Sequence, residues 1–206
     1  MSQLSTILIV IYALSADLIG QEVVIEGNFI PYETYYIGMI DLETGTTNVP
    51  LFNFLIKSPN QSPPYEETPE FHAQFTFEIE SPELGFTERT TLLDIQTTEL
   101  ITMQYPIYLD NTNFNLDNKT VLDQGGNIVD FVLSEPVILE DIDTYDNMLS
   151  SIVTMGRLPD GLYYITFRLF GGTLEGVIEQ EHVINITTPT SLNLIYPGGA
   201  LSDTSE

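Results

Sequence analysis

The segment Leu158 to Phe170 (Leu-Pro-Asp-Gly-Leu-Tyr-Tyr-Ile-Thr-Phe-Arg-Leu-Phe) constrains the fold more than any other part of the chain. Proline presets its own φ, aspartate bonds back to nearby backbone, and glycine accepts the dihedrals a tight turn demands. The turn opens directly into a run in which Tyr163, Ile165, Phe167 and Leu169 alternate with the positions between them. Period two is the signature of a strand with different faces toward core and solvent. A second run is cleaner still: Phe71, Ala73, Phe75, Phe77 and Ile79 fall on one face, and His72, Gln74, Thr76, Glu78 and Glu80 on the other. Strands of this kind belong in antiparallel sheets with one wet face.

The rest of the body reads almost entirely as further strands. Glu22 to Ile30 and Tyr35 to Leu42 are β-branched or aromatic runs separated by Pro31, and Leu51 to Ile56 precedes a loop, Ser58 to Pro69, rich in Pro, Ser and Glu. Thr90 to Gln96, Leu100 to Gln104, Ile107 to Asp110 and Ile128 to Leu133 continue the series, with turn signals at Glu43-Thr44-Gly45 and Asp123-Gln124-Gly125-Gly126. Gly171-Gly172 reads as a hairpin turn, after which Val177 to Thr187 pairs back as the last strand of the domain. One segment breaks the period. Met148, Leu149, Ile152 and Val153 recur at helical spacing, Asp141 and Asp143 stand where acids favour a helix N-terminus, and Gly156 supplies a C-cap before Pro159. The spacing predicts a short crossover helix over about 143–155.

Composition bounds the setting. The chain has 206 residues, 43% of them hydrophobic, which is enough for a sizeable core in one large β domain. Thirty acids stand against five Lys plus Arg, a formal net charge of −25. Such a surface repels phosphate backbones and anionic lipid heads, which argues against nucleic acid as a partner and against a membrane-surface role. Cysteine is absent, so no disulfide, lipid-modified cysteine or thiolate metal site exists in the sequence. Large sandwiches manage without disulfides, and among exported proteins that choice looks more bacterial than animal. In that setting the Asn-x-Ser/Thr triplets at Asn60, Asn118 and Asn185 read as chance matches.

The ends differ from the body. Thr6 to Leu14 is an apolar run of signal-peptide length, too short to span a bilayer, with small residues following at Ser15, Ala16 and Gly20. No Lys or Arg precedes the run, so an internal buried strand is the competing reading. The expected organisation is a signal peptide over 1–20, a β-sandwich over 21–187, and a linker or tail toward a further domain over 188–206. The mature domain carries no segment expected to insert in a membrane.

Residues with catalytic chemistry are thinly spread. His72 and His182 each lie on an alternating strand, where ordinary surface histidines are the commoner finding. No Gly-x-Ser-x-Gly elbow, His-Glu-x-x-His pair or phosphate-cradling loop occurs, and without Trp the usual platform for stacking a sugar ring is missing. The chain is therefore expected not to be an enzyme and to need no cofactor, with calcium as the single ligand to weigh. Asn113, Asn115 and Asp117 are spaced like oxygen ligands of a calcium loop, and Asp110 and Asp123 lie nearby. The EF-hand pattern fails at its sixth position, Asn118, and its twelfth, Gln124. An Asn/Asp-rich loop that makes its own side-chain turns is the simpler reading of the same residues.

The turn Asp160-Gly161-Leu162-Tyr163 resembles the Asp-x-Gly-x-Tyr corner of immunoglobulin-like and fibronectin-like sandwiches, one residue shorter between Asp and Gly. Ile165 stands where an antibody domain would carry its second cysteine. Leu158 to Phe170, followed by Ile184 to Gly199, is also similar to N-terminal sandwich domains of large exported surface proteins of Bacteroidota-like bacteria. This resemblance covers about the last fifty residues. It implies a mainly β, antiparallel immunoglobulin-like sandwich at the cell surface or secreted, acting as a structural or interaction module. Its partners would be other domains or copies of the same protein. Two alternatives stand beside it. One is a self-assembling fibre subunit in which Glu22 to Ile30 or Ser191 to Tyr196 adds to a neighbour's sheet. The other is a carbohydrate-binding or carbohydrate-active accessory domain.

Overall fold

The computed structural model describes residues 22–31, 49–114, 119–135, 137–138, 146, 150, 153–154 and 159–187. They form eleven strands in chain order. The first five are β1 (Val24–Phe29), β2 (Phe52–Lys57), β3 (Glu70–Ser81), β4 (Phe86–Gln96) and β5 (Ile101–Thr102). The others are β6 (Ile107–Asp110), β7 (Thr120–Leu122), β8 (Ile128–Asp130), β9 (Val137–Ile138), β10 (Gly161–Phe170) and β11 (Ile178–Ile186). Every pairing is antiparallel. One sheet runs β1-β2-β6, and a larger one runs β11-β10-β3-β4-β9, with β5 also on β3. β7 and β8 form a hairpin that an Ile107–Asp123 bridge ties to β6.

The two sheets face each other across a shared core. Ile25, Phe29, Phe52, Phe54, Ile56, Ile107 and Leu109 come from the smaller sheet and meet Phe71, Ala73, Phe167 and Leu169 of the larger. Val121, Val129 and Phe131 close the side next to the hairpin. A second cluster, built on Ile79, Phe86, Leu92 and Tyr163, fills the other end of the long strands. The inward rows of β3 and β10 are the odd-numbered residues read from the sequence. Phe75 stands opposite Phe167, and Ile79 opposite Tyr163.

The strand boundaries follow local chemistry. β3 and β10 keep a nine-residue register without a shift, from Leu162–Glu80 to Phe170–His72. The β10–β11 connection turns through Gly171 and Gly172, both at positive φ. At Gly172 a side chain would be driven into the Glu70 carbonyl, so glycine is required there. β4 begins four residues earlier than the apolar pattern suggests, because Phe86 pairs with Ser81 and the mostly polar Thr87-Glu88-Arg89 that follows lies in a register shift against β3. β7 and β9 are too short to carry a period of their own.

Among the described residues the one complete helical element is the 3-10 turn Pro82–Leu84, closed by Gly85 in the left-handed conformation. The helix expected over 143–155 falls largely outside the described residues. Its described positions Asp146, Ser150, Val153 and Thr154 are exposed and each has helical backbone, with the Thr154 hydroxyl donating to the Ser150 carbonyl at 2.7 Å. The strand expected at Tyr35 to Leu42, the leader over 1–20 and the tail over 188–206 also lie outside them.

Candidate functional site

Asp110 and Asp123, the two acids of the expected calcium loop that the structure describes, both serve as turn acceptors. Asp110 Oδ1 accepts from the Thr112 amide at 2.7 Å, the Thr112 hydroxyl at 2.6 Å and the Asn113 amide at 2.8 Å. Asn113 returns the arrangement, its Oδ1 accepting from the Asp110 amide at 3.1 Å. Asp123 Oδ1 accepts from the Gly125 amide at 2.9 Å and the Asn127 amide at 2.8 Å, which shapes the β7–β8 turn. Asp123 bridges to Ile107, and Asp110 lies three residues farther along β6, about 10 Å away at the usual strand rise. Each carboxylate is engaged in its own turn. Asn115 and Asp117 lie outside the described residues, among which no group of three or more His, Cys, Asp or Glu side chains comes together.

The residue of that loop with the longest reach is Asn111, which sequence spacing did not single out. Its Oδ1 accepts from the amides of Leu51 and Phe52, and its Nδ2 donates to the Val49 carbonyl at 2.9 Å. It pins the loop after β6 to the segment that opens β2. The partners are some sixty positions away in sequence, so no local signal announces them.

The two histidines sit on opposite faces of the larger sheet. His72 lies on the outer face against Phe170, with Nδ1 hydrogen-bonded to the Thr97 carbonyl at 3.1 Å. His182 points inward, its ring stacked on Phe29 of the other sheet at 5.3 Å. Burial pushes the pKa of His182 down, which keeps the ring neutral at physiological pH. Along the sheet they are also separated. His182 registers with Ile165, Ile165 with Phe77, and His72 is five residues from Phe77, about 16 Å along β3.

The densest polar constellation is on the outer face of the larger sheet. Arg89 of β4 donates to Glu78 of β3 through Nε at 2.8 Å and to Glu181 of β11 through Nη2 at 2.7 Å. Its guanidinium lies 4.1 Å from the centroid of the Tyr164 ring of β10. One side chain thus reaches from β4 to the three strands beside it, β3, β10 and β11. The hydrogen bond to Glu78 is the main reason the guanidinium is held above its ordinary pKa. Tyr164 donates to Glu80 at 3.3 Å, and partial burial followed by the Glu80 charge raises its phenol pKa. Arg168 adds a second cross-strand pair with Glu179. A fixed guanidinium between carboxylates is a clamp rather than a proton donor.

In the same face Thr76 and Thr166 oppose each other in register and are buried, and neither hydroxyl has a hydrogen-bond partner among the described residues. Buried hydroxyls left unpaired are costly. Replacing both by valine is therefore expected to stabilise the fold, by about 1 kcal/mol or more. A higher urea midpoint with an unchanged denaturant slope would show it, and a loss of stability would mean that the hydroxyls are paired after all.

The segment Glu22 to Ile30, a candidate for strand addition to a neighbour, contributes β1, which pairs with the chain's own β2 from Val24–Lys57 to Phe29–Phe52. The other candidate, Ser191 to Tyr196, lies outside the described residues. No protein-family model, no curated protein and no solved structure matches this chain.

Proposed function

We propose that this chain is an immunoglobulin-like sandwich that serves, without chemistry of its own, as an exported structural or interaction module of a bacterial cell-surface protein. One observation carries the reading. The strands β1, β2 and β6 in one sheet and β11, β10, β3 and β4 in the other follow the order A-B-E and G-F-C-C′ of that fold. Tyr163 stands at the start of the strand equivalent to F, and its hydroxyl donates to the Pro159 carbonyl four residues upstream at 2.8 Å. That is the geometry of a tyrosine corner. Of the four extra elements, β5 falls between the strands equivalent to C′ and E, and β7, β8 and β9 are then an insertion between those equivalent to E and F. The acidic surface suits a soluble spacer that keeps neighbours apart and recruits cationic partners.

Location is tested with a reporter that is active only after export. The full chain, fused at its C-terminus to alkaline phosphatase lacking its own leader, is expected to give activity in a bacterial host. Deleting residues 6–14 is expected to abolish that activity at equal fusion-protein level. An inactive full-length fusion would overturn the exported location.

A further inference from the structure

We infer that the edge of β11 left unpaired among the described residues is a docking strand for an extended, cationic segment of another protein, which adds to the larger sheet as a further strand. The inference rests on reading the chain as an interaction module and names the chemistry of its partner. β11 is nine residues long and pairs with β10 in unbroken register from Gly161–Ile186 to Leu169–Ile178. Its other side pairs with no described residue. A long strand with one unpaired row of amides and carbonyls is a template for another chain.

The other sheet ends lack this property. β8 has three residues and β9 two. β1 is interrupted by Gly27 at φ 108. The early half of β4 carries two register shifts against β3, which twist and blunt an edge. β11 contains no proline, no glycine and no bulge. Lysine, the common guard of exposed edges, is absent from it, and its exposed charges are Glu179 and Glu181.

The two faces of β11 specify the occupant. On the outer face Glu78, Glu80, Glu179 and Glu181 outnumber Arg89 and Arg168, so this band stays negative after the ion pairs are formed. On the inner face Ile184 and Ile186 are half-buried against the second core cluster, ready to be extended by apolar side chains. An added strand therefore carries Lys or Arg on one side and β-branched residues on the other. A second copy of this chain is disfavoured as occupant, since each copy brings a net charge of −25.

The test uses the purified full chain and a nine-residue peptide alternating valine and lysine. A peptide of the same composition, with its valines and lysines in separate blocks, serves as control. Amide-resolved hydrogen exchange is read along Ile178–Ile186. Strand addition is expected to slow alternate amides by about tenfold or more at saturating peptide, while the intervening amides, already bonded to β10, stay unchanged. The block peptide is expected to give no such period. The Glu179→Lys/Glu181→Lys variant is expected to bind the alternating peptide roughly tenfold more weakly. Three results would overturn the proposal: no added protection, equal protection by both peptides, or concentration-dependent protection of β11 without peptide, which would make a second copy the occupant. The experiment needs no export, so its failure is separable from failure of the reporter fusion.

Discussion

Replacing Phe54 by alanine is expected to lower stability by about 3–5 kcal/mol, a large share of what a domain of this size possesses. Phe54 is fully buried in the middle of β2. Its ring stacks on Phe167 of the opposite sheet at 5.3 Å and on Phe52 at 5.0 Å, and meets Phe29 edge-on at 5.1 Å. It is thus a central ring among those through which the two sheets touch, beside Phe29 on His182 and Phe52 on Phe75. The vacancy would not close easily. Gly27 stands opposite Phe54 on β1 and has no side chain to move in, and the other neighbours are held by sheet registers. Urea unfolding followed by circular dichroism gives the number directly. Leu122→Ala, at a position 62% exposed on the hairpin, serves as the comparison and is expected to stay within about 0.5 kcal/mol. A Phe54→Ala loss as small as that would mean that the sheets do not close on one another through this ring.

Tyr163→Phe is expected to cost about 1–3 kcal/mol although it removes a single oxygen. The ring stays, with its packing on Phe77 and the second core cluster. What goes is the hydroxyl that donates to the Pro159 carbonyl, in a corner where both residues are buried. The carbonyl would then be left without its tyrosine donor, away from water. Tyr164→Phe removes the same atom one position along, where the hydroxyl faces outward to Glu80 at a longer 3.3 Å. That variant is expected to stay within about 0.5 kcal/mol. Equal losses from the two would remove the corner as a stabilising device and, with it, part of the argument for an immunoglobulin-like sandwich.

Much of the architecture was legible because it is written in nearest-neighbour chemistry. Phe71 to Ile79 and Tyr163 to Leu169 read as strands because side chains alternate faces in any extended chain, whatever it pairs with. The bounds of β6 and the Gly171-Gly172 turn were readable for the same reason. The start of β4 was not. A mostly polar segment in a register shift, anchored by Phe86 against Ser81, leaves no apolar period. The turn chemistry of Asp110 and Asp123 was also readable as one of two uses of an Asn/Asp-rich loop, since such turns form within four residues.

What the amino-acid sequence determined by itself is the mainly β character, the antiparallel pairing, the inward rows and the tyrosine at the β10 turn. All of these follow from dihedral preferences and periodicity over a few residues. Tertiary structure alone decided the rest. It placed His72 and His182 on opposite faces and set Asp110 and Asp123 in separate turns. It carried Asn111 back to β2 and gathered Arg89, Glu78, Tyr164 and Glu181 across four strands. It also decided that the long edge left unpaired among the described residues belongs to β11. The physical reason is that strand order and register join residues dozens of positions apart, and no local preference encodes which strand becomes which strand's neighbour.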